Sequence, residues 1–161
     1  MEEYILKVFS KSTLRYFDAV AAGGATLGTP YLGSESESAG LGFSSIIGIS
    51  GSYRGNIYYT AGRDKLSAIL PLLGEKTPDD LLCAELVGEI TNTISGNARE
   101  QLGGGFMIST PFILEARPLF VHPSRNASLY VLPITWRNYS SRLLISVVKD
   151  ASDNLGSETG R

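Results

Sequence analysis

One long stretch of this chain most constrains its fold, because it reads as an amphipathic helix that runs into three consecutive glycines at 103–105. Thr77 is the expected N-cap, and Pro78 suits the first helical position. Asp79 and Asp80 place negative charge in the first turn, where the helix dipole favours it. The glycines remove side chains where a left-handed C-cap residue is wanted. The sequence therefore predicts a helix that ends at about residue 102.

The two faces of this helix differ in character. At about 100° per residue, one set of residues falls within about 80° of arc, namely Glu85, Glu89, Asn92, Gly96 and Arg99. The opposite face is apolar and consists of Cys83, Leu86, Val87, Ile90, Ile94 and Ala98. A helix with this pattern packs its apolar face on a core. We therefore expect the first set, called the outward stripe below, to face away from the core.

Two glycines lie inside the predicted helix, where each costs about 1 kcal/mol relative to alanine. Gly96 lies on the outward stripe, so we attribute it to the close approach of a partner's backbone. Gly88 lies at the margin of the stripe, where a partner and internal packing explain it equally well. The helix thus has the features of a surface for contact with another protein.

Composition limits the classes of protein to which the chain can belong. Its 161 residues with 43% hydrophobic content suit one globular domain, predicted over 1–150, with a disordered tail at 151–161. Lys and Arg number 14 against 16 Asp and Glu, which gives no electrostatic support for a nucleic acid or an anionic membrane as partner. The N-terminus lacks the pattern of a secretory signal, and no apolar run is long enough to span a bilayer.

The cysteine and histidine residues that usually bind zinc are scarce. Cys83 is the only cysteine and lies on the apolar face of the long helix, which favours a buried and inert thiol. His122 is the only histidine, so a zinc site lacks its usual ligands, and His122 is interpreted as a structural or surface residue. The sequence predicts no metal or cofactor bound by this chain.

The other periodicities predict an α+β protein that looks duplicated. Pro71 is expected to distort the end of a short helix, and Pro111 is expected to mark an edge or a bulge in a strand. The predicted elements are a helix at 4–21, a short strand at 26–32, a hairpin of 42–50 with 56–61, a helix at 63–73, the long helix, a strand at 106–115, and a hairpin of 128–136 with 142–148. The segment between the short strand and the first hairpin, with residues 34–38 at its centre, is expected to be a mobile loop.

Several segments resemble, in the same order, those of one known family: 47–51, 55–59, 88–92, 95–98 and 109–111. This is the CheC/CheX/FliY family of chemotaxis phosphatases, and the likeness is strongest to its CheX members. It covers the chain from about Tyr4 to Lys149. The resemblance implies a CheC-like fold of pseudo-duplicated helix and β-hairpin units, with a mostly antiparallel sheet and two long helices on one face.

The resemblance also implies a function. Members of this family hydrolyse the aspartyl phosphate of the response regulator CheY. Their motif consists of an acid or serine one helical turn before a Glu-x-x-Asn sequence, followed by a proline further along the chain. Glu89, Asn92 and Pro111 map onto this motif, whereas Glu85 holds the first position, where Asp or Ser is usual. The N-terminal helix lacks the motif, so one site per chain is implied.

The roles carried over with the motif are specific. Asn92 is expected to orient the attacking water and Glu89 to contact the regulator, while Pro111 supports the site. Glu85, Gly96 and Arg99 are expected on the partner surface. The CheY-like receiver domain is expected to supply Mg²⁺, and the chain is expected to be a cytoplasmic homodimer.

Two other interpretations remain open at this point. Flagellar switch proteins share the fold without the catalytic pair, so the chain also fits a scaffold that binds the response regulator without hydrolysing its phosphate. Considered without the resemblance, Glu89 and Asn92 are ordinary solvated helix residues.

Overall fold

The computed structural model describes residues 2–33, 42–75, 77–115, 121, 123 and 126–150. The elements of these ranges are α1 (Glu2–Val20), β1 (Ala25–Leu27), β2 (Tyr31–Leu32), β3 (Phe43–Gly51), β4 (Tyr53–Ala61), α2 (Arg63–Ile69), a 3-10 helix (Leu70–Leu73), α3 (Asp80–Leu102), β5 (Phe106–Ile108), β6 (Phe112–Glu115), β7 (Tyr130–Trp136) and β8 (Tyr139–Lys149). The predictions for the 34–38 loop, His122 and the 151–161 tail lie outside the described residues.

The strands form one antiparallel sheet in the order β1-β7-β8-β4-β3-β5. The short strand β2 also pairs with β7, and β6 also pairs with β3. Each half of the chain thus supplies a long helix, two short strands and a hairpin, and the short strands of each half pair with the hairpin of the other half. The predicted α+β fold with a mostly antiparallel sheet is confirmed.

The main core lies between the helices and one face of the sheet. Residues such as Phe9, Val87 and Ile90 from α1 and α3 are fully buried against Ile57 and Leu143 of the central strands. Alternate residues of the same strands, Tyr58 and Leu144 among them, belong to a smaller apolar cluster. Because successive strand residues point to opposite faces, the two clusters lie on opposite sides of the sheet.

Both hairpins turn more tightly than the sequence predicted. The first turn was expected over 51–55, but β3 continues to Gly51 and β4 already begins at Tyr53. The second was expected over 137–141, but only Arg137 and Asn138 separate β7 from β8, with φ angles of 53° and 64°. Two successive positive φ angles define the type I′ turn that suits the twist of a hairpin. The prediction missed it because the usual glycine of such turns is absent.

The two prolines act where the sequence placed them. The predicted helix at 63–73 is α-helical only to Ile69 and continues as the 3-10 helix that contains Pro71. The predicted strand at 106–115 is two strands, β5 and β6, separated by a break that contains Pro111. The predicted strand at 26–32 is divided in the same way.

The start of α3 differs by two residues from the prediction. Asp79, and not Thr77, is the N-cap, since its Oδ1 accepts a hydrogen bond of 2.8 Å from the backbone N–H of Leu82. Asp and Thr both cap helices well, so composition alone does not choose between them. The helix begins at Asp80 and ends at Leu102, where the N–H of Gly103 bonds to the carbonyl of Arg99.

Candidate functional site

The outward stripe of α3 faces away from the core. Glu85, Glu89, Asn92 and Arg99 are exposed, and Gly96 is half-buried. All the residues expected on the opposite face are buried: Cys83, Leu86, Val87, Ile90, Ile94 and Ala98. The 3.6-residue period was therefore sufficient to predict which side chains of this helix a partner can reach.

Glu89 and Asn92 lie three residues apart, which is about 4.5 Å along the helix axis. Both side chains are exposed, and within the described ranges neither forms a hydrogen bond or an ion pair. Their polar atoms are free to contact groups from outside the chain. The structure thus presents a carboxylate and a carboxamide side by side on a rigid element.

A buried tyrosine of α1 lies within electrostatic range of this pair. Burial, with Tyr59 and Glu89 nearby, raises the pKa of Tyr16 far above its usual range. The Tyr16 hydroxyl is buried and has no hydrogen-bond partner among the described residues. Tyr16 therefore stays a neutral phenol at physiological pH and adds no negative charge beside Glu89.

The segment between β5 and β6 lies beside the helix at Gly88. The N–H of Gly48 donates to Ser109 Oγ at 2.8 Å, and the N–H of Ser109 donates to the carbonyl of Gly48 at 2.9 Å. A Cβ added at Gly88 would lie 3.0 Å from Ile113 Cδ1 and 3.6 Å from Pro111 Cβ. Gly88 therefore serves internal packing, and Pro111 lies against the helical turn that contains Glu89.

Gly96 differs from Gly88 in its surroundings. A Cβ at Gly96 would have no atom within 4 Å among its described neighbours. Nothing inside the described fold therefore accounts for a glycine at this helix position. The open space is consistent with the predicted approach of a partner's backbone.

The first half of the duplicated fold lacks the pair. The buried positions Ile5, Val8, Phe9, Ser12, Thr13 and Tyr16 of α1 follow the same spacing as Val87, Ile90, Thr91, Ile94, Ser95 and Ala98 of α3. This alignment places Lys7 and Ser10 where α3 has Glu89 and Asn92. The described part of the chain thus has one copy of the candidate site.

Two depressions flank the outward stripe, and sequence reasoning missed both. The first, called the acidic groove, has a volume of about 260 Å³ and is lined by Glu75, Glu85 and Glu89 together with Leu70, Leu73 and Leu82. The second, called the β6 groove, has a volume of about 550 Å³ and is lined by Leu81, Ala84 and Glu85 of α3 and by Phe112, Ile113, Leu114 and Glu115 of β6. No sequence signal identified the first groove, because it forms only where the 3-10 helix meets α3, and helical spacing had predicted that Leu73 faces inward whereas it is 40% exposed.

Other kinds of site find no support in the part of the chain that the structure describes. No group of three or more His, Cys, Asp and Glu side chains there is arranged to hold a metal ion. Among the same residues, no helix is both long and apolar enough to cross a bilayer. The exposed carboxylate and carboxamide of α3 remain the main candidate for function.

The fold and the site together define an α+β protein with a Glu-x-x-Asn pair on the outer face of its longest helix. The family model described as chemotaxis phosphatase CheX matches residues 43–135, more than half of the chain. The chain belongs to the CheX family of chemotaxis phosphatases. The match includes α3 with the candidate pair and the segment with Pro111.

Solved structures agree with this assignment. The chemotaxis protein CheX from Vibrio vulnificus has a TM-score of 0.78 and 22% identity, with 90% of this chain and 99% of that chain covered. A putative chemotaxis protein from Desulfovibrio vulgaris Hildenborough has a TM-score of 0.77 and 25% identity, with coverage of 90% and 97%. A CheX-CheY-BeF3-Mg²⁺ complex from Borrelia burgdorferi has a TM-score of 0.74 and 19% identity, with coverage of 89% and 97%. No curated protein sequence matches the chain.

Proposed function

We propose that this protein hydrolyses the aspartyl phosphate of a CheY-like receiver domain, with Asn92 orienting the attacking water and Glu89 contacting the receiver. The observation that carries the proposal is the exposure of both side chains, unpaired among the described residues, on the outer face of α3. Membership of the CheX family supports the reaction class. The Borrelia burgdorferi complex, which contains CheY, supports the choice of partner.

The chemistry asks little of this chain beyond positioning. An aspartyl phosphate is an acyl phosphate, so its hydrolysis is limited mainly by placing a water in line with the phosphorus. A carboxamide accepts a hydrogen bond through its oxygen and donates through its nitrogen, so Asn92 can orient that water without ionising. The loose transition state of phosphoryl transfer needs alignment and charge stabilisation. In this proposal the receiver's own Mg²⁺ and lysine supply the charge stabilisation, as the Mg²⁺ in the relative's complex suggests.

The other residues of the site have positioning roles in this proposal. Glu89 pairs with the receiver lysine and so fixes the relative register of the two proteins. Gly96 leaves room for the receiver backbone, and Glu85 and Arg99 extend the contact surface along the outward stripe. Pro111 supports the α3 turn through its contact beside Gly88. We further expect the protein to be cytoplasmic, since CheY-like receivers act in the cytoplasm. We also expect it to be a homodimer, as the resemblance to CheX proteins implies.

A phosphate-release assay tests the proposal directly. A phosphorylated receiver with Mg²⁺ is mixed with the wild-type chain, and loss of the phosphoryl group is followed with time. Wild type is expected to accelerate the loss, and Asn92→Ala to reduce that acceleration about a hundredfold, equivalent to about 2.7 kcal/mol of transition-state stabilisation. Gln101→Ala removes an exposed carboxamide from the last turn of the same helix and is expected to leave the rate unchanged.

The same assay distinguishes the scaffold interpretation. If the wild-type chain binds the phosphorylated receiver but leaves its decay unchanged, the protein is a non-catalytic binding module of the flagellar-switch type. Equal loss of activity in Asn92→Ala and Gln101→Ala would contradict the specific role given to Asn92.

A further inference from the structure

The acidic groove lies beside the candidate pair but includes residues that the family motif does not. It is formed where the 3-10 helix meets α3, and its lining combines three carboxylates with leucine side chains. Leu73 is 40% exposed on the rim of the groove. Glu75 and Glu85 make no ion pair within the described ranges, and none of the described residues that line the groove is basic.

This lining selects against most classes of ligand. An anionic ligand would be repelled by three negative charges, and a purely apolar segment would bury carboxylates without partners, which is costly. The described residues do not bring these carboxylates together as a metal site. A lysine or arginine side chain fits both components of the lining, because its aliphatic stem packs on apolar surface while its charged end pairs with carboxylates.

The position of the groove indicates which protein would supply that side chain. Glu89 lines the groove and also belongs to the outward stripe, so a partner that contacts Glu89 and Asn92 also covers the groove mouth. Glu85 lines both this groove and the β6 groove on the other side of the stripe. A protein docked on the stripe therefore meets carboxylates beyond the one expected to contact its active-site lysine.

We propose that the acidic groove is a specificity subsite that receives a second basic side chain of the receiver domain, with Glu75 and Glu85 pairing with its charged end. The inference rests on the proposed function, since it takes the receiver as the occupant. It assigns Glu75 a role in partner choice and none in the chemical step. Charge pairs across an interface contribute chiefly to register and to selection among partners.

Charge reversal at the groove rim tests this subsite. The dissociation constant is measured for a CheY-like receiver that carries BeF3 and Mg²⁺, at low and at moderate salt, with wild type, Glu75→Gln and Glu75→Lys. Glu75→Lys is expected to weaken binding about tenfold at low salt, and Glu75→Gln about threefold with a smaller salt dependence than wild type. The rate of phosphate loss at saturating receiver is expected to stay unchanged in both variants.

The matched control is Glu3→Lys, which makes the same charge reversal at an exposed residue of α1. Unchanged binding in Glu75→Lys, or an equal loss in Glu75→Lys and Glu3→Lys, would overturn the subsite. Failure of the proposed function has a different readout, namely a wild-type chain that does not accelerate phosphate loss. Circular dichroism of each variant confirms that its fold is retained.

Discussion

The two glycines of α3 illustrate how differently one residue type acts at neighbouring turns. Gly96 faces open space among the described residues, so Gly96→Ala gains helix propensity without a clash. We expect this variant to raise the free energy of unfolding by about 0.5–1 kcal/mol in urea denaturation. If the receiver backbone approaches here, the same variant binds the BeF3-loaded receiver more weakly than wild type does. A more stable variant with unchanged receiver binding would contradict the role given to Gly96.

At Gly88 the expected sign is opposite. The first added carbon would already lie 3.0 Å from Ile113 Cδ1, and the branched side chain of valine needs further space beside Pro111. Gly88→Val is expected to lower the free energy of unfolding by about 1–3 kcal/mol, as overpacked core positions do. Urea denaturation of Gly88→Val and Gly96→Val in parallel checks this, because the two substitutions make the same change in helix propensity and differ only in their surroundings. Equal stability of the two variants would rule out the proposed crowding.

At the scale of single residues, the sequence predicted which side chains of α3 face outward but not why Gly88 is a glycine. The exposure of Glu89 and Asn92 followed from helical period, which is a local property of the chain. The contact between Gly88 and Ile113 joins residues that are adjacent only after β5 and β6 have paired with β3. Sequence spacing does not reveal that Gly88 and Ile113 are close in the folded protein. The sequence therefore could not decide whether Gly88 serves a partner or internal packing.

The short helix α2 carries a lysine that the structure buries completely. Lys65 Nζ donates to Ser141 Oγ at 2.6 Å and lies 4.9 Å from the centre of the Phe17 ring. Burial lowers the pKa of Lys65 to about 7, while the charge of Asp64 opposes that shift. Between pH 7 and about 10 the unfolded chain therefore holds a proton that the folded chain lacks, and stability rises with pH across this window.

This linkage gives a prediction for α2. In urea denaturation, the free energy of unfolding of the wild-type protein is expected to be about 2 kcal/mol higher at pH 9 than at pH 7. The expected rise follows from one titrating group, for which the free energy of unfolding changes with pH by at most about 1.4 kcal/mol per pH unit. Lys65→Met removes the titrating group and is expected to remove most of this rise. Lys11→Met, at an exposed position of α1, is the control and keeps the wild-type dependence. A pH-independent wild-type stability would show that Lys65 is not held neutral.

At the scale of elements, the type of each element was easier to predict than its ends. The helices followed from their periodicity, and Pro71 and Pro111 marked real interruptions. The turn between β7 and β8 was predicted three residues too long, because Arg137 and Asn138 adopt positive φ angles without the glycine that usually marks such a turn. Stacking of Arg137 on the Trp136 ring, at 4.5 Å, adds a contact that local propensity does not contain.

Among the described strands, the sheet has two outer edges that differ in what they expose. At one edge, β6 pairs with β3, and Phe112 is 64% exposed beside Leu81, which is 65% exposed. Both residues line the β6 groove. At the other edge, β2 pairs with β7 and exposes Leu32 at 66%. An edge strand beside an exposed apolar groove is a preferred place for another strand or subunit to pack.

We therefore expect the homodimer to form through an interface at the β6 edge. Light scattering on the wild-type chain is expected to give about twice the subunit mass of 17.3 kDa. Phe112→Lys is expected to give the single subunit mass, because it replaces the exposed phenyl ring of this edge with a strongly hydrated charged group and removes its apolar contact area from the interface. Leu32→Lys makes the same change at a similarly exposed position of the opposite edge and is expected to stay dimeric. A monomeric wild type would contradict the homodimer, and a dimeric Phe112→Lys with a monomeric Leu32→Lys would transfer the interface to the β2 edge.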